Sequence, residues 1–525
     1  MNIGLDFGTT NSILSFYNRN NNYVDTYKLD GNAGANYIPS VVSIDDGELS
    51  IGDAAKNSLD DEYVHVYSRF KILLNLEDEK SLSNHGYVDK TPEEITTLYL
   101  KELINKFQSD NSLEKIESLV LTIPEIWLRD DYKSRSKLKK IVQSLGLPLK
   151  KLVSEPVAAG AYFLHNYEKE QAKKFDGHVL VFDYGGGTLD VSLLETRNNS
   201  IKVLERTGIG QDNTFTGNAG VAFDERVITT MCAENKSKLG KNYRVLLNDF
   251  EHKKIQSSSK HERFILDYMQ DNNKNKRIMK LSCMADNDEP IGSRAVTASN
   301  LVNAFKDLDK DIKRTLREIA QSFLKHGIDS ENSDIFRVVM VGGFSNFYLS
   351  KRSVKEFFHA DDDDRRFQTH FKADDIALAI SKGAALIAED VINIDETYPL
   401  SVDLVVKMMD EKGFVAEETI LIFKKGVTVK THNVEYIQKE ISQAGKLILS
   451  FDNGKKGCNF KIKFDKDTQE LFPNFDRPNN KWLIGFSIDD SSFVYVHIRD
   501  KYNAERKTEI GNILEEYSNS VIMEG

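Results

Sequence analysis

Short apolar runs alternate with amphipathic segments over about the first 400 residues, and this alternation predicts a mixed α/β structure. Buried strands are predicted where apolar residues follow one another, at Met1–Leu5, Ser118–Ile123, His178–Phe182 and Arg337–Val341. The clearest helix is predicted over Leu301–Gly327, because apolar side chains recur there every three or four residues. Further helices are predicted at Pro92–Phe107, Lys133–Leu145, Val157–Leu164 and Ile376–Ile387.

The pattern changes near Pro399, where the helical period nearly disappears and short β-rich runs follow one another. These runs predict an all-β sandwich. They lie at Leu400–Val406, Thr419–Phe423, Lys446–Phe451, Phe460–Phe464, Trp482–Ile488 and Phe493–Ile498. We therefore predict a first domain over residues 1–388, a linker over 389–398 and a β domain over 399–525.

Charge and cysteine content narrow the class of protein. The chain has 525 residues and a formal net charge of −11, which argues against general nucleic-acid binding and against an anionic membrane surface. Its three cysteines, Cys232, Cys283 and Cys458, are far apart, so we expect a reducing compartment and no disulfide scaffold. The first residues resemble no signal peptide, and no apolar run is long enough to span a membrane. We expect a cytoplasmic protein.

One short motif occurs twice. Asp6–Asn11 (DFGTTN) follows a predicted strand, and Asp183–Thr188 (DYGGGT) follows another. Each motif is a strand, an aspartate, a turn of glycine and threonine, and a second apolar strand, so each predicts a β-hairpin. Two halves with matching turns can face each other across a cleft.

The chemistry of these turns points to phosphate. Glycines let the backbone N–H groups approach an anion, and threonine hydroxyls add donors. An aspartate at the end of each strand would repel bare phosphate, so the acids favour a site with a bridging cation, of which Mg²⁺ is the natural one. Asp190 adds a third carboxylate. The alternative is that each turn is only a tight hairpin with no ligand. The sequence has no P-loop fingerprint and no dinucleotide-binding fingerprint, which disfavours those two nucleotide-binding folds.

The motifs MNIGLDFGTTNS, FDYGGGTLDVSLLE and VVMVGGFSN, in this order, resemble the actin-like ATPase fold and, within it, the 70-kilodalton heat-shock chaperone (DnaK-type) family. The segments IPSVVSI, IGDAAK, LTIPEIW and SEPVAAGAY are also similar to segments of that family. The resemblance covers residues 1 to about 400 well and the β-rich tail weakly. It implies an α/β fold in which a two-lobed, actin-like ATPase domain precedes an all-β sandwich.

The resemblance also implies an activity, the hydrolysis of ATP to ADP and phosphate with Mg²⁺ as cofactor. It places the two phosphate loops at Gly8, Thr9, Thr10 and Asn11 and at Gly185, Gly186, Gly187 and Thr188. It places Mg²⁺, largely through water, among Asp6, Asp183 and Asp190. It implies a catalytic set of Lys71, Glu155, Asp183 and Thr188, in which Lys71 and Glu155 lie by the γ-phosphate and orient the attacking water.

Around the nucleoside, the resemblance implies contacts from Glu251, Lys254, Ser258, Gly342, Gly343, Asn346 and Asp374. Two of these regions depart from the family pattern. Asn346 stands where the family usually has an arginine that stacks on adenine, and an amide does not provide guanidinium stacking. Gln256 and Ser257 stand just before Ser258, where the family usually has an apolar residue.

Two further departures concern the second domain. Asn393 interrupts the apolar run of the linker. Only Ile513–Tyr517 predicts a helix before the sequence stops at Gly525, so we expect no helical lid of the kind that the family carries. A β-sandwich of this type would hold an extended peptide by strand pairing and release it quickly.

Three functions remain open at this point. The first is an ATP-driven chaperone that binds unfolded or extended polypeptides and works with a J-domain co-chaperone and a nucleotide-exchange factor. The second is an actin-like nucleotide-binding protein whose β tail binds one dedicated partner. The third is a kinase for a sugar or another small molecule, although no acid is marked as a base for a substrate hydroxyl.

Overall fold

The fold was analysed in a computed structural model of the chain. By contacts between Cα atoms, it divides into two units, Met1–Asn393 and Ile394–Gly525. The structure describes residues 1–29, 36–61, 63–111, 115–128, 132–210, 219–232, 242–256, 258–284, 290–369, 371, 375–395, 401–409, 415–424, 427, 434–436, 448–452, 458–461, 483–489, 493–499 and 505–512.

The first lobe of the first unit is built on a mixed sheet. Its strands are β1 Asn2–Phe7, β2 Asn11–Asn18, β3 Tyr23–Thr26, β4 Ile38–Pro39, β5 Val41–Asp45, β6 Glu48–Ile51, β7 His65–Ser68, β8 Ser118–Ile123 and β9 Leu149–Ser154. Its helices are α1 Asp53–Asn57, α2 Glu79–Asn84, α3 Pro92–Asp110 and α4 Tyr132–Ser144, with single 3₁₀ turns at Ser58–Asp60 and Glu125–Leu128. The main sheet has the order β3-β2-β1-β8-β9, with β4 paired to β2, and β5, β6 and β7 form a separate sheet.

The second lobe repeats this plan. The chain passes to it through helix α5, Glu155–Gln171. Its strands are β10 Gly177–Tyr184, β11 Leu189–Arg197, β12 Ser200–Ile209, β13 Arg277–Met284, β14 Pro290–Thr297 and β15 Phe336–Val341. Its helices are α6 Gly220–Met231, α7 Asn242–Gln256, α8 Ser258–Gln270, α9 Ala298–His326 and α10 Tyr348–Phe357, with 3₁₀ turns at Asn272–Lys274, Gly343–Asn346 and Arg365–Phe367.

The two main sheets share one arrangement of strands. In each, a hairpin is formed by two consecutive strands, β1 with β2 or β10 with β11, and the first strand of the hairpin also pairs in parallel with a later strand, β8 or β15. Each lobe has its own hydrophobic core. The repeated motif of the sequence therefore corresponds to a repeated local structure.

Two helices rich in small residues lie between the sheets, namely α5 and α11 Asp375–Ala388. Helix α11 packs against α5, β1 and β2, and α5 in turn contacts β10 and β11. The approach is close, since a Cβ atom added at Gly383 would lie 1.7 Å from the carbonyl oxygen of Ala158. The small side chains of the two helices allow this close approach.

Local signals explain where the long helices begin and end. Thr91 accepts a hydrogen bond from the Glu94 N–H, and the Glu94 side chain accepts one from the Thr91 N–H, so α3 starts with a capping box. Helix α9 ends at Gly327, whose φ of 65° lies in the left-handed region that glycine favours. The predicted helices at residues 92–107, 133–145, 157–164, 301–327 and 376–387 are confirmed, with small differences in their bounds except that α5 continues beyond 164 to Gln171.

The second unit is all-β in its described residues. After the short strand β16, Asn393–Asp395, come β17 Ser401–Met409, β18 Val415–Phe423, β19 Glu435–Tyr436, β20 Ile448–Asp452, β21 Cys458–Lys461, β22 Leu483–Ile488, β23 Phe493–Arg499 and β24 Glu505–Asn512. The later eight form two antiparallel sheets, with the orders β18-β17-β20-β21 and β19-β22-β23-β24. The predicted helix at 513–517 lies outside the described residues. Among the described helices, none is long and apolar enough to cross a membrane.

Candidate functional site

The first glycine hairpin joins β1 to β2. Its turn is tight, because a Cβ atom at Gly8 would lie 2.2 Å from the carbonyl oxygen of Asn11. Ser40 stabilises the turn from the next segment: its hydroxyl donates to the Gly8 carbonyl at 2.8 Å and its N–H donates to the Thr10 carbonyl at 2.8 Å. Asp6 is buried near the end of β1 and accepts a hydrogen bond at 3.1 Å from the hydroxyl of Thr122 in β8.

The second glycine hairpin joins β10 to β11. Asp183 and Asp190 are directly opposite each other in the register of this pair, so two carboxylates flank one turn. The hydroxyl of Thr188 donates to Oδ2 of Asp190 at 2.5 Å. Helix α6 begins against this turn, since the N–H groups of Gly220 and Val221 donate to the carbonyls of Gly185 and Gly186 at 3.1 and 2.9 Å.

The two turns meet across the space between the lobes. A Cβ atom at Gly186 would lie 2.7 Å from Oγ1 of Thr10, and one at Gly187 would lie 2.9 Å from Oγ1 of Thr9. Side chains larger than hydrogen at 186 and 187 would therefore push the hairpins apart. The structure brings together the two motifs that the sequence predicted to face each other.

Glycine is also required where β15 ends. Gly342 has a φ of 85°, and a Cβ atom there would lie 2.4 Å from Oδ1 of Asp183. This glycine thus leaves room for the carboxylate of the second hairpin. Gly343 follows at the start of a 3₁₀ turn, is exposed, and has open space where a Cβ atom would lie.

Lys71 and Glu155 form a buried ion pair beside the two glycine hairpins. Nζ of Lys71 lies 2.5 Å from Oε1 of Glu155, and Lys71 is only 2% exposed. Glu155 is the first residue of α5, where Pro156 suits the first turn. A lone lysine in a sequence is usually solvated, so this burial supports the interpretation of Lys71 as a site residue.

Burial raises the pKa of the three aspartates. The pKa of Asp6 is raised to about 7 by burial and by the Glu155 carboxylate, against smaller lowering effects of Lys71 and Thr122. The pKa of Asp190 is raised to about 8, chiefly by burial and then by Glu155. Burial is also the main cause of the raised pKa of Asp183, followed by the neighbouring carboxylates. The site has more negative charge than Lys71 balances.

Two carboxylate oxygens in this cluster have no protein donor. Oδ2 of Asp183 and Oδ1 of Asp190 are buried and accept no hydrogen bond from any group in the described ranges. Buried polar atoms are normally satisfied by protein, water or an ion. No three histidine, cysteine, aspartate or glutamate side chains of the described residues lie close enough together to ligate one metal directly. Buried carboxylate oxygens that accept no hydrogen bond are suitable ligands for Mg²⁺, which usually keeps several of its waters, so these aspartates would fit a hydrated Mg²⁺.

A cavity of about 310 Å³ lies beside the hairpins and between the lobes. Thr9, Thr10 and Ser40 line one part of it, and Leu247 and Glu251 of α7 line another. Its walls also carry charged side chains from both lobes, namely Lys56, Arg69, Asp224 and Glu225. The cavity thus connects the first glycine hairpin to the helix that carries two of the predicted nucleoside contacts.

Lys254, one of those contacts, has a partner already. Its ammonium lies 2.6 and 2.8 Å from the two carboxylate oxygens of Asp224 and 5.4 Å from the ring centre of Phe344. Burial raises the pKa of Asp224 to about 6, although Lys254 opposes the shift. Phe344 lies two residues before Asn346, which is exposed at the end of its 3₁₀ turn. Lys254 and Asn346 are therefore close in the fold.

Two of the predicted nucleoside contacts, Ser258 and Asp374, are not described in full. Ser258 is the first residue of α8, whereas Glu251 and Lys254 lie on α7, and the side chain of Ser258 lies outside the described residues. Asp374 also lies outside them.

Comparison with known proteins shows to which family the chain belongs. The family model described as Hsp70 protein matches residues 2–402. The chain belongs to the Hsp70 family. Among its curated relatives, a chaperone protein DnaK of Mycoplasmopsis agalactiae is 28% identical over 418 residues, which are 77% of this chain and 62% of that protein. The mixed α/β first unit and the all-β second unit agree with the predicted fold class.

Two other Hsp70 relatives match segments of this chain that differ in length. A chaperone protein DnaK of Metamycoplasma hominis is 26% identical over 513 residues, 96% of this chain and 78% of that protein. The corresponding protein of Thermotoga petrophila is 26% identical over 423 residues, 77% of this chain and 63% of that protein. The match to the first and third of these relatives thus spans less than two thirds of their length.

Sequence reasoning missed Glu125, a fully buried acid of this Hsp70 chain. Its Oε2 accepts a hydrogen bond at 2.8 Å from Ser192, and its Oε1 lies 2.9 Å from Nε of Arg206. Ser192 lies two residues after Asp190 on the same face of β11, so Glu125 adds negative charge near the aspartates. A charged residue between Pro124 and the apolar pair Ile126 and Trp127 was the available signal.

Proposed function

We propose that this Hsp70-family chain is an ATP-dependent molecular chaperone, which binds and hydrolyses Mg-ATP and thereby controls the binding of extended polypeptides by its β unit. The observation that carries the proposal is the convergence of two aspartate-headed glycine hairpins on one buried Lys71–Glu155 pair. Phosphoryl transfer to water depends on positioning and charge neutralisation more than on covalent catalysis, and this arrangement supplies both.

The two turns would hold the phosphates. Backbone N–H groups and hydroxyls of the first turn, Gly8, Thr9, Thr10 and Asn11, and of the second, Gly185, Gly186, Gly187 and Thr188, are the donors. Asp6, Asp183 and Asp190 would hold Mg²⁺ through its waters. Bound there, the ion would neutralise phosphate charge. The buried carboxylate oxygens without a protein donor support this assignment.

Lys71 and Glu155 would act on the attacking water. The ammonium of Lys71 offers donors toward the phosphate oxygens, and its bond to Glu155 fixes it in place. The Glu155 carboxylate can accept a hydrogen bond from the water and so orient it. Thr188 holds Asp190 in position through its 2.5 Å hydrogen bond.

The nucleoside would lie farther along the cleft. Glu251 and Lys254 of α7, with Ser258, would flank it, and Gly342 and Gly343 would lie under it because neither carries a side chain. Asn346 and Asp374 complete the set. An amide at 346 offers hydrogen bonds and no cation for stacking, so we expect weaker nucleotide affinity than a guanidinium would give.

The β unit would bind polypeptides in an extended form. Antiparallel sheets such as the two in this unit can take up an extended peptide as a further strand along an edge. A J-domain co-chaperone and a nucleotide-exchange factor would regulate the cycle, in the cytoplasm. No nucleic acid or membrane partner is proposed.

The test is a turnover assay of the whole chain with Mg-ATP, with and without an unfolded peptide. Coupling of the two sites predicts that peptide changes hydrolysis and that ATP speeds peptide release; in binding, the effect must be reciprocal. Hydrolysis that no peptide affects, together with peptide release that ATP leaves unchanged, would remove the chaperone proposal.

One observation favours a second candidate. The family match ends at residue 402, so most of the β unit lies outside it. The alternative is a nucleotide-binding protein whose β unit binds one dedicated partner and has little general folding activity. A pull-down that returns one dominant folded protein, in place of many unfolded clients, would favour this alternative.

A further inference from the structure

Three polar side chains lie in a row on one face of the sheet β19-β22-β23-β24 in the β unit. In the register of β22 with β23, Ser487 is opposite Tyr495, and His497 follows two residues later on the same face. In the register of β23 with β24, Arg499 is opposite Glu505, which places Glu505 on that face as well. Three adjacent strands thus bring a serine, a histidine and a glutamate together.

Ser487, His497 and Glu505 form one chain of short hydrogen bonds, and we call these three residues the triad. Nε2 of His497 lies 2.7 Å from Oγ of Ser487, and Nδ1 of His497 lies 2.6 Å from Oε1 of Glu505. The pKa of the Glu505 carboxyl is lowered, chiefly by its hydrogen bonds to His497 and Arg499, so the ionised carboxylate accepts from Nδ1–H. In a neutral imidazole this leaves the lone pair of Nε2 to accept a hydrogen bond from the serine hydroxyl.

The glutamate of the triad is itself fixed by two further groups. Its other oxygen, Oε2, accepts a hydrogen bond at 2.9 Å from the hydroxyl of Tyr436 and one at 3.1 Å from Nη2 of Arg499. The guanidinium of Arg499 also lies over the Tyr436 ring, 4.2 Å from its centre. The parts that activate a serine for acyl transfer are a base within hydrogen-bond reach of the hydroxyl and a third group that orients the base. The triad has both parts.

The triad is covered, which limits what can reach it. Ser487 is 3% exposed and His497 is 5% exposed, whereas Glu505 lies at the exposed rim. Tyr436 forms part of the cover, because a Cβ atom at Gly485, the residue opposite His497, would lie 2.8 Å from its ring. Tyr436 belongs to β19, a strand of two residues, so few backbone hydrogen bonds hold the cover in the described part of the chain. We therefore expect only a small reactant to enter.

We propose that Ser487 is an acylation site, whose hydroxyl is activated by His497 to attack the carbonyl carbon of a small ester. The bond from Oγ to the carbonyl carbon forms as the ester C–O bond breaks. The serine proton passes to Nε2 of His497 and from there to the departing alkoxide, so the products are an O-acyl serine and an alcohol. Glu505 is a positioning residue, because it holds the imidazole in the tautomer that receives this proton. The site goes beyond the proposed ATPase function and does not depend on it.

The first test asks whether Ser487 reacts, and it needs no variant. The whole chain is treated with p-nitrophenyl acetate, and the acetylated residues are identified by mass spectrometry of its peptides. We expect an acetyl group on Ser487. The internal control is Ser353, which is also buried and also makes a 2.7 Å hydrogen bond, but to the carboxylate of Asp309 and not to an imidazole. No acetyl group on Ser487, or equal acetylation of both serines, would overturn the proposal and leave the triad as a structural contact between strands.

The second test assigns the base. We expect His497→Gln to lower the rate of acetylation at Ser487 by about 10²-fold or more, the contribution that a general base makes. In wild type this rate should rise with pH in one step as His497 becomes neutral, and the step should be absent from the variant. Acetylation of Ser487 at the wild-type rate in His497→Gln would show that the histidine is not the base.

The third test concerns Glu505, which is exposed and therefore easier to replace without unfolding the β unit. Glu505→Gln should slow acetylation of Ser487 by about tenfold or more, and Glu505→Asp should recover part of the loss, because a carboxylate again accepts from Nδ1 of His497. Urea unfolding identifies the variants that keep the wild-type stability, and these are compared. Acetylation as fast as in wild type in both variants would show that the carboxylate does not position the base.

The last test concerns the size of the acyl donor. We expect p-nitrophenyl hexanoate to acylate Ser487 about tenfold more slowly than the acetate does, because the longer chain must displace more of the cover formed by Tyr436. Equal rates for the two esters would contradict the restriction to small esters. None of these tests involves a nucleotide, so they decide the acylation site whether or not the chain hydrolyses ATP.

Discussion

The two glycine hairpins have the same order of residues and different electrostatics. In the first, Asp6 is the only aspartate, and Thr122 donates a hydrogen bond to it. In the second, Asp183 and Asp190 face each other, and each keeps one buried oxygen to which no described protein group donates. In the proposed function the repeated motif supplies two phosphate-binding turns, and the demand for a cation is greater at the second. The residues that surround each turn would thus give two similar turns unequal roles.

The largest effect is expected from removing Lys71, whose ammonium lies near both hairpins. We expect Lys71→Ala to retain ATP binding and to lower the hydrolysis rate by about 10²–10³-fold, because the ammonium is the buried cation of the site. Single-turnover hydrolysis with radiolabelled ATP is the measurement. A variant that hydrolyses ATP at the wild-type rate would remove Lys71 from the proposed mechanism.

Replacing an aspartate carboxylate by the amide of asparagine, in one hairpin at a time, distinguishes the roles of the two hairpins. Asp183→Asn should weaken Mg²⁺-dependent nucleotide binding by about tenfold or more, since a charged oxygen facing the cation is lost. Asp6→Asn is the matched change in the first hairpin and should cost less, because Thr122 already satisfies part of that carboxylate. Titrations with and without Mg²⁺ compare them. Equal losses would contradict the unequal roles of the hairpins.

The pattern of the sequence predicted the strands β1, β8, β10 and β15, the two hairpins and the helices α3, α4, α5, α9 and α11, because these depend on neighbouring residues. It placed α9 within a few residues of its observed bounds, since its apolar stripe and Gly327 are local signals. It did not predict the ion pair between Arg69 and Glu225 or the burial of Glu125. Those contacts join residues far apart in the chain, and only the folded arrangement of the lobes decides which charges meet.

The role of Lys71 illustrates the same limit for the site. Nothing local marks this lysine, and its assignment depended on the order of motifs in a resembling family. The structure supplied its partner, Glu155, by placing the start of α5 beside the turn after β7. The nucleoside contacts are less complete, because Asp374 lies outside the described residues.

Two neighbouring glycines, Gly185 and Gly186, provide a test of the contact between the hairpins. A methyl group at Gly186 would meet Thr10 at 2.7 Å, whereas one at Gly185 would meet open space. We therefore expect Gly186→Ala to lower the free energy of unfolding by about 2 kcal/mol and Gly185→Ala to change it little. Urea unfolding of both variants checks this. A Gly186→Ala variant as stable as Gly185→Ala would mean that the turns do not touch.

The raised pKa values predict that the stability of the metal-free chain falls as the pH rises. In the folded chain the pKa of Asp6 is about 7 and that of Asp190 about 8, against 3.8 for the ordinary carboxyl. The stability from their protonated forms is fully present below pH 3.8 and is lost as the pH rises through 7 and 8. With a chelator present, we expect stability to fall by roughly 4 kcal/mol between pH 6 and 8.5, because each carboxyl costs about 1.4 kcal/mol per pH unit until its folded pKa is reached.

The control for this pH dependence is Asp190→Asn, in which the fall should be smaller because one titrating group is gone. Urea unfolding at each pH gives the values. A stability that rises with pH in the chelated wild type would show that these carboxylates do not carry the assigned protons.

Calorimetric titration of the whole chain with ATP, in the presence and absence of Mg²⁺, tests most directly whether the two hairpins form one cation-dependent nucleotide site. We predict saturable binding with one nucleotide per chain when Mg²⁺ is present, and much weaker binding when a chelator removes it. Absence of binding with Mg²⁺, or binding of equal strength without it, would contradict the assignment of the paired aspartates and the glycine turns to a single site.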